Sequence, residues 1–585
     1  MSSGIRLEDC FKTYTYDQEK SRSPQETIRL VRGRLKEIGL DILKETIRID
    51  SGRLDIPIFI SRCGRDAVRI IGTQKQMGKG GTPEQSEASA LMELVERFSF
   101  FSYIKGRPFI QERYRNIQDQ AIPLESLALS FHDDSGDLVK LKPLLEEIPL
   151  SWVMANNLTQ KKDQWVPIDW FYLIHEYNGP SAGNTFEEAI LQGLCEVVER
   201  HVSSVISHES LPTAAIDPAS LSDPAARELL EKFNRQGIKL YLKDFSLDTG
   251  IPTVGALAYD PSTFPEKSEI VFTAGTTPHP EKSLIRAVTE IAQLAGDFIS
   301  RTRYRPTLPK YQRLEEAQYV MMNPEIIPIT ALPDLSHHNI RREIESCVEA
   351  LAKVGLEVLV VNVTHPQLNL PAVYTIIPGA HFRDRTRHTG VLFHLAKLIS
   401  MMEDPEEATH YLSKITGLFP DRYEVRFFLG FALERNDQPR EALEHFQKAL
   451  ELNPREIDLS SIYCHIGVCL KDMENYEEAL SYLNQAKTFN AEQKEIYNVL
   501  GFCYFKLKEH QLAIEAFERA IEIDPGSGID YANIGSNLRE LGFYAEAVKL
   551  YQMALELDPS LDFARDNIEK LSPLLGKENA EKELS

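Results

Sequence analysis

Glutamates spaced i, i+3 stand twice in this chain inside stretches almost too apolar to carry them. Glu93 and Glu96 lie within 88–98, and Glu196 and Glu199 within 189–200; a weaker third copy at 286–293 holds Glu290. On a helix, i and i+3 share a face, so each pair presents two carboxylates side by side. The surrounding Leu, Val, Met and Phe predict helices buried on most sides. Carboxylates in such a place are protonated or strongly destabilising unless positive charge sits with them, and a divalent metal is the simplest answer. The fold has to bring cations to these helices.

Thr82 lies eleven residues before Glu93, and Thr185 eleven before Glu196. Small-residue loops precede all three copies: Gly78-Lys79-Gly80-Gly81, then 178–184, then Ala274-Gly275-Thr276-Thr277. Each loop runs into a helix N-terminus, where free N–H groups and the helix dipole favour an anion. An anion there, with carboxylates further along, points to a metal–phosphate site. Magnesium suits it, since it takes a few carboxylates and leaves room for phosphates. Four converging carboxylates call for more than one ion. No Gly-x-x-x-x-Gly-Lys-[Ser/Thr] and no kinase His-Arg-Asp set occurs, so an ATP site here is of another kind. A single Glu-x-x-Glu is usually a solvated helix face; two copies with matched loops and apolar flanks favour the site.

The chain has 585 residues, enough for several domains, and a composition of the soluble globular type. A net charge of -22 argues against non-specific nucleic-acid or anionic-membrane binding. No apolar run has the length of a membrane span, and the first residues show no signal-peptide stretch. The seven cysteines are scattered without Cys-x-x-Cys, as in a reducing cytosol, so a cytoplasmic location is expected. Cys195, next to Glu196, reads either as a nucleophile or as a small buried apolar residue, the second being favoured.

The last third is periodic. Gly430, Gly467, Gly501 and Gly535 recur at intervals of 37, 34 and 34, and Ala442, Ala479, Ala513 and Ala547 keep the same spacing. Asn453-Pro454, Asp524-Pro525 and Asp558-Pro559 close three of four units. This pattern resembles the tetratricopeptide repeat (TPR), a pair of antiparallel helices per unit. The three extra residues of the first interval are expected in a loop at 456–460. Such arrays bind peptide or protein segments on a concave face, or serve packing and dimerisation. Residues 1–400 instead mix strand-like runs (58–60, 271–272, 358–363) with helical stretches such as 343–356. The expected organisation is an α/β (mixed α+β) domain over 1–400 with repeated loop–helix units, a helical connector at 401–419, an all-α TPR solenoid at 420–570 and a charged tail at 571–585.

The first domain resembles the YcaO family, which uses ATP to activate a backbone amide; the match covers roughly 15–400. Gly78-Lys79-Gly80 with Ala88, Ala90, Glu93, Glu96 and Arg97 looks like the first family block. Ser181, Asn184 and Glu188 followed by Glu196, Glu199 and Arg200 look like the second, and Arg286 with Glu290 like the third. Lys20 and Thr27 sit where the family has a lysine and a hydroxyl residue contacting the nucleotide. The resemblance implies that Glu93, Glu96, Glu196 and Glu199 hold Mg2+. It implies that Lys20, Thr27, Ser181, Asn184, Glu188, Arg200, Arg286 and Glu290 line the ATP, with Arg200, Arg286 and Glu290 catalytic. Carboxylates suit the hard cation, and arginines offset charge on a transferring phosphoryl group.

The same resemblance implies the chemistry. A nucleophile attacks a peptide carbonyl, the amide oxygen takes the γ-phosphoryl group, and phosphate leaves. A neighbouring Cys, Ser or Thr gives an azoline, sulfide a thioamide, an amine an amidine. The azoline branch carries a C-terminal Pro-x-Pro-x-Pro that this sequence lacks, so thioamide or related modification is the first expectation. An accessory, nucleotide-binding scaffold for a ribosomal-protein methylthiotransferase is the alternative. Expected partners are a peptide or protein substrate and a sulfur donor or methylthiotransferase docked in the TPR groove. A homodimer is also compatible, and no direct nucleic-acid or membrane contact is expected. The basic stretch 381–388 reads as a phosphate- or acid-facing segment or a solvated loop; His279 is not assigned a role.

Overall fold

The computed structural model describes residues 4–106, 109–131, 135–175, 178–301, 308–382 and 389–582. The chain forms two compact units that divide after Val391. Three strand-to-helix passages organise the first. β1 (Lys75–Lys79) leads into α1 (Pro83–Gly106), β2 (Pro180–Ala182) into α2 (Phe186–Glu209), and β3 (Val271–Thr276) into α3 (Pro280–Ala295). Each strand is an edge of a separate sheet. β1 borders a three-stranded sheet, β2 a six-stranded one and β3 a five-stranded one. Each helix packs on its own sheet and also touches a strand of another passage: α1 meets β2, α2 meets β3, and α3 meets β1. The three passages therefore close into a ring.

Small residues twelve positions apart set how closely strand and helix approach. A Cβ on Gly78 would lie 2.1 Å from the Ala90 nitrogen, and one on Gly275 would lie 2.5 Å from the Ala287 nitrogen. In the second passage the glycine is on the helix, where a Cβ on Gly193 would lie 2.5 Å from Ser181 Oγ. Side chains cap the helices: Thr82 Oγ1 accepts from the Gln85 N–H at 3.2 Å, Thr185 Oγ1 from the Glu188 N–H at 3.2 Å, and His279 Nδ1 from the Glu281 N–H at 3.2 Å. Leu91, Leu94, Val95, Ile190, Leu194, Val197, Ile285, Val288 and Ile291 are buried. At about 1.5–3 kcal/mol each, their burial offsets the cost of bringing carboxylates inside. The amphipathic stretch read near 343–356 is a helix, α4 (Ile340–Lys353), and the apolar run after it a strand, Leu359–Asn362.

The second unit is an all-helical array. Its four pairs are Tyr423–Arg435 with Pro439–Glu451, Glu456–Asp472 with Tyr476–Phe489, Lys494–Lys506 with His510–Ile523, and Gly528–Glu540 with Tyr544–Leu557. The periodic glycines face large side chains of the paired helix; a Cβ on Gly501 would lie 2.6 Å from Phe517. The extra residues of the first interval do not form a loop. They lengthen the helix Glu456–Asp472 to 17 residues, against 13 in the other three leading helices. The helix Val391–Ser400 lies almost wholly within this unit, with Phe393 packed on Phe428 at 5.2 Å between ring centroids. The compact units thus part earlier than the sequence-based boundary at 400. The charged tail begins inside a terminal helix, Asp562–Lys582. No described helix is long and apolar enough to cross a membrane.

Candidate active site

Glu93 lies fifteen positions after Gly78, Glu196 fifteen after Ser181, and Glu290 fifteen after Gly275. The three glutamates thus occupy equivalent places, one on each helix of the ring, and all three line one cavity of about 410 Å³. Ten of the twelve residues singled out in the sequence line that cavity: Lys20, Thr27, Glu93, Glu96, Asn184, Glu188, Glu196, Arg200, Arg286 and Glu290.

Ser181 and Glu199 are placed otherwise. Ser181 is fully buried and its Oγ donates to the Ala189 carbonyl at 2.7 Å, so its hydroxyl belongs to the strand–helix contact. Glu199 is 1% exposed, and both oxygens carry partners. Oε1 takes Arg200 Nη1 at 2.9 Å; Oε2 takes Arg286 Nε at 3.3 Å and the Thr276 N–H at 3.3 Å.

The carboxylates are met by basic side chains. Arg97 Nε lies 3.1 Å from Glu93 Oε1 and 3.4 Å from Glu96 Oε1, and Arg200 Nη2 lies 3.6 Å from Glu196 Oε1. Lys79 pairs with Glu290, and Arg286 Nη1 donates to Gln192 Oε1 at 2.8 Å. Burial pushes Glu290 up, but Lys79 and Arg200 more than offset it and hold the carboxyl below its ordinary range. Glu96 stands well above that range, because burial and then the Glu93 charge outweigh Arg97. Burial also raises Glu196, against the pull of Arg200 and Arg97.

Glu96 and Glu196 therefore remain short of positive charge, and a hard oxygen-seeking cation fits what they lack. Among the described residues no three acidic, histidine or cysteine side chains form a ready-made metal cage. The donors present suit an ion that arrives with phosphate oxygens and water rather than a closed protein site.

A second network of hydrogen bonds lines the same cavity. Thr27 Oγ1 donates to Asn184 Oδ1 at 3.1 Å, Asn184 Nδ2 donates to Glu188 Oε2 at 2.9 Å, and the Ser21 N–H and hydroxyl reach Glu188 Oε1 at 2.6 Å. The loop N–H groups that the sequence offered to an anion are engaged differently. The Gly81 N–H donates to Asp17 Oδ2 at 2.6 Å, and the Asn184 N–H to Glu188 Oε2 at 2.9 Å. Positive charge for an anion comes instead from Lys20, Lys79, Arg97, Arg200 and Arg286.

Arg97 pairs with glutamates of its own helix, a contact that its sequence spacing already allows; Lys79 has no role in the sequence reading, because its partner Glu290 lies 211 residues away. Cys195 is buried, and burial pushes its thiol up to about 12, which removes it as a nucleophile. His279 caps α3. Of the basic stretch 381–388, residues 383–388 lie outside the described residues.

Comparison with known proteins bears on this arrangement. Residues 77–381 match the family described as YcaO cyclodehydratase, ATP- and Mg2+-binding; tetratricopeptide-repeat families match 423–492, 495–527 and 531–561. An uncharacterized protein of Methanothermobacter thermautotrophicus is 32% identical over 385 residues, covering 61% of this chain and 93% of that one. The ribosomal protein S12 methylthiotransferase accessory factor YcaO of Escherichia coli is 27% identical over 241 residues, 37% of this chain and 40% of that protein. A solved heterocyclase in complex with substrate and cofactor superposes with a TM-score of 0.53 at 22% identity, covering 65% of this chain and 54% of that one, which shows a shared fold. The chain belongs to the YcaO family, joining that family's ATP- and Mg2+-binding domain to an array of tetratricopeptide repeats.

Proposed function

We propose that the first unit uses ATP and Mg2+ to activate a peptide backbone amide by O-phosphorylation, for thioamide formation or a related modification, in the cytoplasm. The repeats dock the protein that brings substrate or sulfur. The observation that carries this reading is the single cavity in which Glu93, Glu96, Glu196 and Glu290 meet Lys79, Arg97, Arg200 and Arg286. Bound Mg2+–ATP supplies an activated phosphoryl group; an amide oxygen is a poor leaving group until phosphorylated. Glu93, Glu96 and Glu196 hold the metal. Glu199 belongs to the same set, offering an ion the acceptor site on Oε1 that Arg200 leaves free. Arg200 and Arg286 face the phosphates and offset charge that grows on them. Thr27, Asn184 and Glu188 hold the sugar end through their mutual hydrogen bonds, with Lys20 beside them. Ser181 supports the site from behind, through the contact between β2 and α2.

The test is phosphate release with and without candidate peptides and sulfide. Glu196→Gln is expected to abolish Mg2+-dependent nucleotide binding and turnover. Unchanged turnover in that variant would falsify the metal assignment. The second reading is a nucleotide-dependent accessory factor for a methylthiotransferase, favoured by the name of the E. coli relative. It expects Mg2+–ATP binding without peptide-stimulated turnover, and capture of the partner through the repeats. Azoline formation ranks behind both.

A further inference from the structure

A smaller cavity of about 60 Å³ shares Lys20, Gln192 and Arg286 with the wall of the larger one. Leu191 and Cys195 of α2 and Ile340 and Glu343 of α4 complete much of its lining. The Glu343 side chain has no exposed surface. Its Oε1 takes Lys12 Nζ at 2.5 Å and the His337 N–H at 3.0 Å. Its Oε2 is buried and has no hydrogen-bond partner. A buried acceptor left unmade costs about 1–3 kcal/mol, more for a charged group, and a ligand that donates a hydrogen there relieves that cost.

The other acids of the lining are already engaged. Asp17 accepts from the Gly81 N–H and the Tyr14 hydroxyl, Glu19 pairs with Lys12 at 2.9 Å, and Glu188 holds Ser21 and Asn184. Lys20 and Arg286 face the same space, which disfavours a cationic guest. One water occupies about 10–15 Å³ of such space, so about 60 Å³ seats a ligand of a few heavy atoms and excludes a nucleobase or peptide segment. Leu191, Ile340 and the Cys195 sulfur favour a weakly hydrated guest over a strongly hydrated one.

We infer that this pocket seats the external nucleophile of the reaction proposed above, on which the inference rests. The guest is a small neutral or anionic species, of the size and softness of hydrogen sulfide, with a hydrogen directed at Glu343 Oε2. Burial raises the Glu343 carboxyl to about 7, close to where hydrogen sulfide itself titrates, so the pair can share a proton near neutrality. Removing the Glu343 charge does not strand Lys12, which keeps Glu19.

The test is a crystal of the full chain with Mg2+ and ADP, soaked anaerobically in sodium hydroselenide and read at the selenium absorption edge. A selenium peak beside Glu343 and Cys195 is expected, undiminished by a tenfold excess of ammonium chloride. It is expected to fall at least tenfold in Glu343→Leu, and likewise in Cys195→Leu, which fills the pocket from another wall. Mg2+–ADP affinity and circular dichroism establish that each variant is folded; if Glu343→Leu is not, Cys195→Leu decides. The inference is overturned by water alone in the pocket, by displacement with ammonium, or by a peak that survives in a folded variant. Selenium absent with nucleotide bound overturns the pocket alone. Selenium present without nucleotide overturns the ATP reading beneath it.

Discussion

Arg286 of α3 and Glu199 of α2 form an ion pair, with Nε 3.3 Å from Oε2, that ties two helices of the ring together. The other oxygen of Glu199 holds Arg200 at 2.9 Å, so one buried carboxylate fixes two guanidinium groups at the cavity wall. Glu199→Gln takes the ion-pair partner from the largely buried Arg286 and leaves Arg200 with the longer contact to Glu196 alone. Breaking such an interaction costs about 3–5 kcal/mol. Glu93→Gln, at a carboxylate one-third exposed, is expected to cost under about 1 kcal/mol. Chemical denaturation of the two variants checks the contrast, and equal losses would refute it.

Mg2+ affinity should depend on pH. Glu96 and Glu196 are raised above the ordinary value of 4.5, chiefly by burial. Their protonated forms therefore favour the metal-free fold below that value, and this contribution is lost as pH rises through the raised values. Mg2+ competes with those protons, so its affinity should climb with pH across the same window and binding should release protons. Calorimetry in two buffers of different ionisation enthalpy reads the release directly; none at the acid edge of the window would count against both carboxylates as ligands.

Lys79 holds Glu290 across 211 residues of sequence. In Lys79→Met the glutamate loses the partner that contributes most to keeping it ionised, and burial then favours its protonated form. Nucleotide affinity should fall at least tenfold, and more steeply toward lower pH. Equilibrium binding of a fluorescent ATP analogue at two pH values checks this, and a pH-independent loss would point to packing instead.

The repeats should be separable from nucleotide binding. Gly501→Leu drives a side chain into Phe517, since even an added Cβ would lie only 2.6 Å from that ring, and overpacking of this kind costs about 1–3 kcal/mol. The array should melt earlier while Mg2+–ATP affinity stays within twofold of wild type. A large loss of nucleotide affinity in a variant whose first unit remains folded would show that the repeats belong to the active site.

Much of this protein is written locally. Glutamates at i, i+3 in apolar surroundings announce buried carboxylate pairs, and small residues recurring every 34 to 37 positions announce paired helices, because both patterns follow from helix geometry within a short window. The equal spacing from Gly78 to Glu93, Ser181 to Glu196 and Gly275 to Glu290 was likewise present in the sequence. Tertiary structure alone decided which oxygens face the cavity. Glu196 opens onto it while Glu199, three residues on, is taken by Arg200 and Arg286, since the rotation of α2 is set by what packs against it from other sheets. The pairing of Lys79 with Glu290 and the bare oxygen of Glu343 have the same origin: electrostatic partners are chosen by distance in space, and no local pattern encodes contacts between residues hundreds of positions apart.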